Sequence, residues 1–312
     1  MKKGNSKMKK VLFIVDAPNW AHDFKTDQIM EKLDHKYLFR KIYQKEVVEE
    51  DLELADIIVV YYWMQFGELH KFDKYLLNKK VLCGICSNWE TNNIRVMDEI
   101  INKYACGVFV NNNFLFKEFK DYYKVPVFYT PNGVDTDLFA DKKRSNKIKQ
   151  TYKIGWAGSA TNQGRAHRGL DLIIEAVNKL KQRYPIELIT ATREIKWRSQ
   201  KEMVDFYNDL DVYVCASESE GTPNTALEAA SCHVPVVTTY VGNMPEFIIE
   251  GVNGFFTRRY AVDIENKIVK ALKYSWNNGP KRDMREDILY FWDWRWKAQH
   301  YDLMFDAISK ED

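Results

Sequence analysis

The stretch "KIGWAGSATNQGRAHRGLDLIIEAVNKLKQRYPIELITAT", residues 153 to 192, holds two short apolar runs on either side of one longer helical segment. "KIGWAGS" reads as a strand, "GLDLIIEAVNKLKQRY" as a helix and "IELITAT" as the next strand. Continuous apolar strands joined through helices indicate a parallel sheet covered on both faces.

The same alternation runs outward in both directions. Towards the C-terminus it continues with "QKEMVDFYNDL" as helix, "DVYVCAS" as strand, "NTALEAASC" as helix, "PVVTT" as strand and "MPEFIIEG" as a short helix. Towards the N-terminus, "KVLFIV" (10–15) reads as a buried strand, followed by "TDQIMEKLDHKY" as a helix with Thr26 as its N-cap. The strands "ADIIVVYYW" (55–63), "KVLCGIC" (80–86) and "GVFVNN" (107–112) then alternate with the helical segments "GELHKFDKYLLNK", "NNIRVMDEIINKYA" and "FLFKEFKDYY".

A chain of 312 residues is long for one core and suggests two units. The boundary is placed in "TDLFADKKRSNKIKQTYK", a charged stretch without an apolar period. The expected organisation is therefore an α/β chain with two doubly wound Rossmann-like domains. These are a first domain over 1–135, a linker over 136–150, a second domain over 151–290, and a C-terminal helix over 291–312 that returns to the first domain. Ligands of open parallel sheets bind beyond the carboxyl ends of the strands, so two such sheets are expected to face each other across a cleft.

A net charge of +2 does not predict a polyanion-binding surface, and no nucleic-acid partner is expected. The head "MKKGNSKMKK" is locally basic, and reads as a tail or as a contact with an anionic membrane surface. With no run of 18 apolar residues and no signal peptide, a cytoplasmic protein is expected, with peripheral membrane contact left open. Five cysteines fit reduced, buried thiols; Cys83 and Cys86 form one C-x-x-C, but a zinc site would want a second pair.

The segment "ASESEGTPNTALEAASCHVPVV" (216–237) carries the densest chemistry. Its strand ends at Ser217, its loop contains Gly221 and Pro223, and its helix is expected to start near Asn224 or Thr225. A helix start exposes unsatisfied N–H groups and about half a positive charge, which attract phosphate. Glu228, near the start of that helix, is placed to accept two hydrogen bonds from a vicinal diol such as a ribose. Glu220 precedes the helix and is placed to meet whatever lies beyond the phosphates.

Residues 206–256 contain, in order, S-x-x-E-G, E-x7-E, EA, PVV, VG-x-x-PE and NGF elements. In these the chain resembles the retaining nucleotide-sugar glycosyltransferases of the GT-B fold, glycosyltransferase family 4. "TPNGVDTDLF" (130–139) is similar to that family's interdomain segment, and "WDWRWKAQHY" (292–301) to its closing helix. The first 125 residues share only the strand–helix pattern.

The resemblance implies that Glu220 contacts the donor sugar and Glu228 holds the nucleotide ribose. It implies that the backbone of Gly221, Thr222, Pro223, Asn224, Thr225 and Ala226 lies against phosphate and sugar oxygens. The family places an Arg after the glycine of the loop "GSATNQGRAHRG" (158–169) and a Lys before a later glycine. Here Ser159 follows Gly158 in the Arg place and Arg168 takes the Lys place. Arg165 is the expected substitute for the missing charge and His167 a weaker one.

Arg193 or Trp197 is expected beside the base. His22, in the loop after the first strand, is assigned to the transferred sugar or the acceptor, and equally reads as a surface histidine. Trp20, Trp63 and Trp89 fall at strand ends, where exposed rings suit sugars. The loop "CSNWE" (86–90) lacks a histidine that family members often carry there.

The expected activity is transfer of a hexose or related sugar from a nucleoside diphosphate to an acceptor, with retention at the anomeric carbon. No D-x-D pair stands in a donor loop, so no metal and no cofactor is expected. The acceptor stays open between a glycan, a lipid-linked sugar and another small molecule. The alternative from another class is a binding protein for nucleotide sugars or glycans that has lost catalysis.

Overall fold

Alternate residues of the first strand supply two different cores. Leu12 and Ile14 join one buried cluster while Val11, Phe13 and Val15 join another, because successive side chains of a strand point to opposite faces. The computed structural model describes residues 8–142, 150–276 and 284–310. Within these the chain divides into one unit of residues 1–133 with 294–312 and a second unit of 134–293.

The first unit is built on β1 (Lys9–Val15), β2 (Tyr37–Tyr43), β3 (Ile57–Val60), β4 (Lys80–Ile85), β5 (Gly107–Val110) and β6 (Val127–Tyr129). They form a parallel sheet in the order β2-β1-β3-β4-β5-β6. The second unit holds β7 (Tyr152–Ala157), β8 (Ile186–Ala191), β9 (Val212–Cys215), β10 (Val236–Thr238) and β11 (Phe255–Phe256). These run parallel in the order β11-β10-β9-β7-β8. Tyr213 and Cys215 of β9 enter one core and Val212 and Val214 the other, so this sheet is also covered on both faces.

Several local expectations are corrected. The first helix spans Ala21–Leu33, so Thr26 lies inside it rather than at its N-cap. Thr26 Oγ1 donates back to His22 O at 2.7 Å and meets the Tyr61 hydroxyl at 2.6 Å. At the helix start Asp23 instead accepts from Asn19 N at 2.7 Å. The edge strand β2 was not anticipated, because half-exposed "YLFRKIY" interrupts its apolar residues with Arg40 and Lys41.

The helix Ala261–Trp276 was also missed, although Ile264, Ile268, Ala271 and Leu272 bury one face of it. The closing segment is not one helix. Ile288–Trp292 forms a π-helical turn, Asp293 is extended, and a new helix runs over Trp294–Ser309. Trp292 packs in a core of the second unit. Trp294, Ala298, Tyr301, Phe305 and Ile308 pack in one of the first.

Residues 143–149 of the expected 136–150 linker, and 1–7 of the basic head, lie outside the described residues. Ahead of that gap, Phe139 is buried in the second unit and Val134 N donates to Trp292 O at 2.7 Å. Cys83 and Cys86 are buried free thiols. Among the described residues no helix is long and apolar enough to cross a membrane.

Candidate functional site

In the second unit, the loops that leave β7 and β9 are stitched together. Gly169, at φ +67°, starts the helix Leu170–Lys181, and a Cβ there would stand 2.4 Å from Ala216 O. Only glycine tolerates both that backbone and that approach. The contact sets the end of the β7 loop against the end of β9: Glu218 N donates to His167 O at 2.9 Å, and a His167 ring nitrogen lies 2.9 Å from Ser219 O. Arg259, which the sequence reading did not single out, braces both loops by donating to Ala216 O at 3.1 Å and His167 O at 3.3 Å.

This arrangement brings Arg168 to Glu220. Arg168 Nη1 lies 2.7 Å from Glu220 Oε1, which also accepts from Ser217 Oγ at 2.9 Å. Arg168 retains partial solvent exposure, so its charge remains available to a further anion. Arg165 does not join this pair: it is exposed and held by Asp171, at 2.7 Å from Nε. His167 is committed to Ser219 O and stands beside the cluster.

The helix Asn224–Ser231 begins where the sequence places it, after Pro223, with no side-chain cap. Asn224 N donates to Thr222 O at 2.9 Å and Ala226 N to Pro223 O at 2.9 Å, and the Thr222 hydroxyl is buried without a partner among the described residues. Gly242, at φ +54°, lets the next loop lie against Gly221; a Cβ would meet Gly221 O at 2.5 Å. Beside it, both amide atoms of the fully buried Asn243 lack partners among the described residues.

Glu228 is the fifth residue of the helix, and Tyr207 donates to its Oε2 at 2.6 Å. Burial pushes the Glu228 carboxyl up to about 7, and the Tyr207 hydrogen bond works against that rise. Tyr213 beneath it contacts Thr225 Oγ1 at 2.7 Å. Neither tyrosine was anticipated; their signal was only that both stand on apolar elements, at a helix end and on β9.

Ser159 and Gly158 leave β7, and Ser159 Oγ donates to Glu194 Oε1 at 2.7 Å. Arg193 and Trp197 lie exposed in the same segment beyond β8. The structure thus gathers Glu220, Arg168, Gly221 to Ala226 and Glu228 about β9, with Ser159 and Arg193 on the neighbouring β7 and β8 loops.

The first unit has its own polar cluster at the carboxyl ends of β1, β3 and β4. His22 stacks on Tyr61, with ring centroids 4.5 Å apart, and its Nδ1 lies 3.4 Å from Asp16 Oδ2. Burial lowers the His22 pKa against the pull of Asp16. The Asp16 carboxyl lies below its usual range because its bonds to His22 and Ala17 N outweigh burial. Lys25 is buried with its ammonium 5.2 Å from the Tyr61 ring and 5.3 Å from that of Tyr301. Burial raises the Glu90 carboxyl to about 8. Trp20 and Trp89 are exposed, whereas Trp63 is half-buried and donates to Glu90 O at 3.3 Å.

Comparison with known proteins bears on the second unit first. Residues 151–274 match the family model described as "Glycosyl transferases group 1". The chain is 34% identical over 155 residues to the capsular polysaccharide biosynthesis glycosyltransferase CapM of Staphylococcus aureus, covering 42% of this chain and 41% of that one. It is 32% identical over 76 residues to the uncharacterized glycosyltransferase MJ1178 of Methanocaldococcus jannaschii, covering 24% of this chain and 22% of that one. The chain spans less than half the length of these relatives.

Among solved structures, the sucrose-phosphate synthase of Thermosynechococcus elongatus aligns with a TM-score of 0.73 at 13% identity, over 98% of this chain and 100% of that one. Anabaena HepE in complex with UDP and glucose aligns with a TM-score of 0.68 at 13% identity, over 96% of this chain and 100% of that one. These likenesses speak to the fold: two parallel α/β sheets with flanking helices, as in the GT-B structural neighbours.

Proposed function

We propose that the protein is a glycosyltransferase that moves a sugar from a nucleoside diphosphate to an acceptor hydroxyl, with retention of anomeric configuration and without a required metal. The observation that carries this reading is the grouping of Arg168, Glu220, the uncapped helix start at Asn224 and Glu228 around the end of β9. It falls within the stretch that matches the group 1 glycosyltransferase model.

Each part has a chemical task. Glu228 accepts hydrogen bonds from the ribose diol, with Tyr207 fixing the other face of its carboxylate. Glu220 faces the donor sugar and is itself oriented by Arg168 and Ser217. As the sugar–phosphate bond breaks, negative charge gathers on the departing diphosphate. Arg168 and the helix N–H groups meet that charge where it develops. Positioning and charge stabilisation then account for the rate, with the leaving phosphate oxygen taking the acceptor proton on the face it vacates.

On this reading the donor is a nucleotide sugar, and the acceptor is a glycan, a lipid-linked sugar or another small molecule that the first unit holds, with His22 in contact with it. The names of the relatives, which concern capsular and other polysaccharides, favour a place in carbohydrate biosynthesis. The test is transfer from a panel of nucleotide sugars to a panel of acceptors, with and without chelator. Product configuration is read from the anomeric coupling in NMR spectra. A product of retained configuration formed in chelator supports the proposal in full. An inverted product, or activity lost to chelator and restored by manganese, overturns the corresponding part.

A further inference from the structure

The first unit buries a cation without an anion. Lys25 lies in the second turn of the helix Ala21–Leu33 and is only 3% exposed. Its ammonium stands over three rings, 5.2 Å from that of Tyr61, 5.8 Å from that of Phe109 and 5.3 Å from that of Tyr301. Among the described residues no oxygen accepts a hydrogen bond from it and no carboxylate stands within ion-pair distance. Ring faces offset only part of what an ammonium loses on leaving water, so the environment of Lys25 is complete only when an anion is added.

The neighbouring carboxyl does not supply that anion. Glu90 is 6% exposed, its Oε1 accepts from Cys86 N at 2.9 Å, and its Oε2 is buried without a partner among the described residues. Lys25 and Glu90 act electrostatically on each other and on the Cys86 thiol, so they belong to one cluster at the carboxyl end of β4. Burial raises the Glu90 carboxyl to about 8, so at neutral pH it keeps its proton and has an O–H to donate. Asp16 is engaged with His22, 3.4 Å away. An anion brought to this cluster meets donors on Lys25 and Glu90. At the ends of β1 and β4, Trp20 and Trp89 are exposed, and flat rings of this kind pack on sugars.

We infer that the acceptor held by the first unit is a sugar bearing an anionic group, a carboxylate or a phosphate, and that Lys25 is the residue that selects it. The inference rests on the reading that the first unit holds the acceptor. It accounts for a lysine at a core position, where an apolar side chain of similar volume would cost the fold nothing.

The test is calorimetric titration of glucose, glucuronic acid and glucose 6-phosphate into the full-length wild type and K25M, with thermal unfolding of both proteins. The wild type is expected to bind one or both anionic sugars about 10- to 100-fold more tightly than glucose, the worth of a charge-assisted hydrogen bond in a buried site. K25M should lose that preference, and should unfold at the temperature of the wild type or above it. Which anion binds distinguishes a sugar acid from a sugar phosphate. Equal binding of all three sugars by the wild type, or a preference that survives in K25M, overturns the inference. So does a K25M that fails to fold or unfolds at a lower temperature, since Lys25 is then a structural cation held by its rings. Titration of nucleotide sugars into the same wild type judges the transferase reading separately. Nucleotide binding without an anionic-sugar preference removes this inference and leaves that reading; the reverse result leaves an anionic-sugar site and removes the reading.

Discussion

Raising the pH from 6 to 8 should tighten donor binding through Glu228. Burial lifts this carboxyl to about 7. If the ionised form accepts the ribose hydrogen bonds, the apparent Kd is the intrinsic value divided by the ionised fraction. With a pKa of about 7 that fraction is about 0.1 at pH 6 and about 0.9 at pH 8. Affinity therefore rises roughly tenfold, or about 1.4 kcal/mol, across the interval. The assay is calorimetric titration with a nucleotide sugar, because the terminal phosphate of a free diphosphate titrates near 6 on its own. E228Q should bind weakly and show no pH slope. A flat wild-type profile, or the same slope in E228Q, refutes the reasoning.

The same carboxyl makes a linked prediction about stability without ligand. A raised acid pKa means that the folded chain keeps a proton which the unfolded chain releases above 4.5. Stability attributable to Glu228 is therefore intact below about 4.5 and is lost as pH climbs through about 7, by at most roughly 3 kcal/mol. E228Q should remove that loss, as seen in urea midpoints measured from pH 5 to pH 8.

Three further outcomes are expected. R168A should lower kcat/KM for the donor by about 10²- to 10³-fold, while R168K, which keeps charge but not the guanidinium fork, should recover only part of it; steady-state kinetics decides. G169A should cost about 2–3 kcal/mol in urea unfolding, because its Cβ would press on Ala216 O at a positive φ; a loss under 0.5 kcal/mol would mean that the loops are not held there. The thiols of Cys83 and Cys86 should resist an aromatic disulfide reagent in the folded protein and react on unfolding. Both are buried, and burial pushes the Cys86 thiol up to about 12.

The sequence made the buried strands of both sheets legible because they are short continuous apolar runs, of which β1, β4 and β9 are the clearest. β2 escaped because an edge strand carries Arg40 and Lys41 among its apolar residues, so its pattern is neither continuous nor cleanly alternating. The break at Asp293 was hidden by aromatic residues on both sides of it, which bury in different cores: Trp292 in the second unit, Trp294 in the first. Within the candidate site, the start of the Asn224 helix and the places of Glu220 and Glu228 followed from local signals and from the family resemblance. Tyr207, Arg259 and Glu194 did not, because each meets its partner across a long stretch of chain that no local spacing encodes. Arg165 illustrates the converse, since Asp171, six residues on in the first turn of the next helix, captures it.

The central claim is that the second unit binds a nucleoside diphosphate sugar through the residues about β9. The most direct measurement is thermal unfolding of the wild type and E228A, with and without chelator. The ligands are uridine, guanosine, adenosine, cytidine and thymidine diphosphates and their sugar conjugates. A ligand at 100 times its Kd adds about 2.7 kcal/mol, enough to raise the midpoint by several degrees. The account predicts that the ligands of one base shift the wild type in chelator and that E228A loses the shift, with affinity down by about 2 to 5 kcal/mol. No shift with any nucleotide, or an equal shift in E228A, would contradict it.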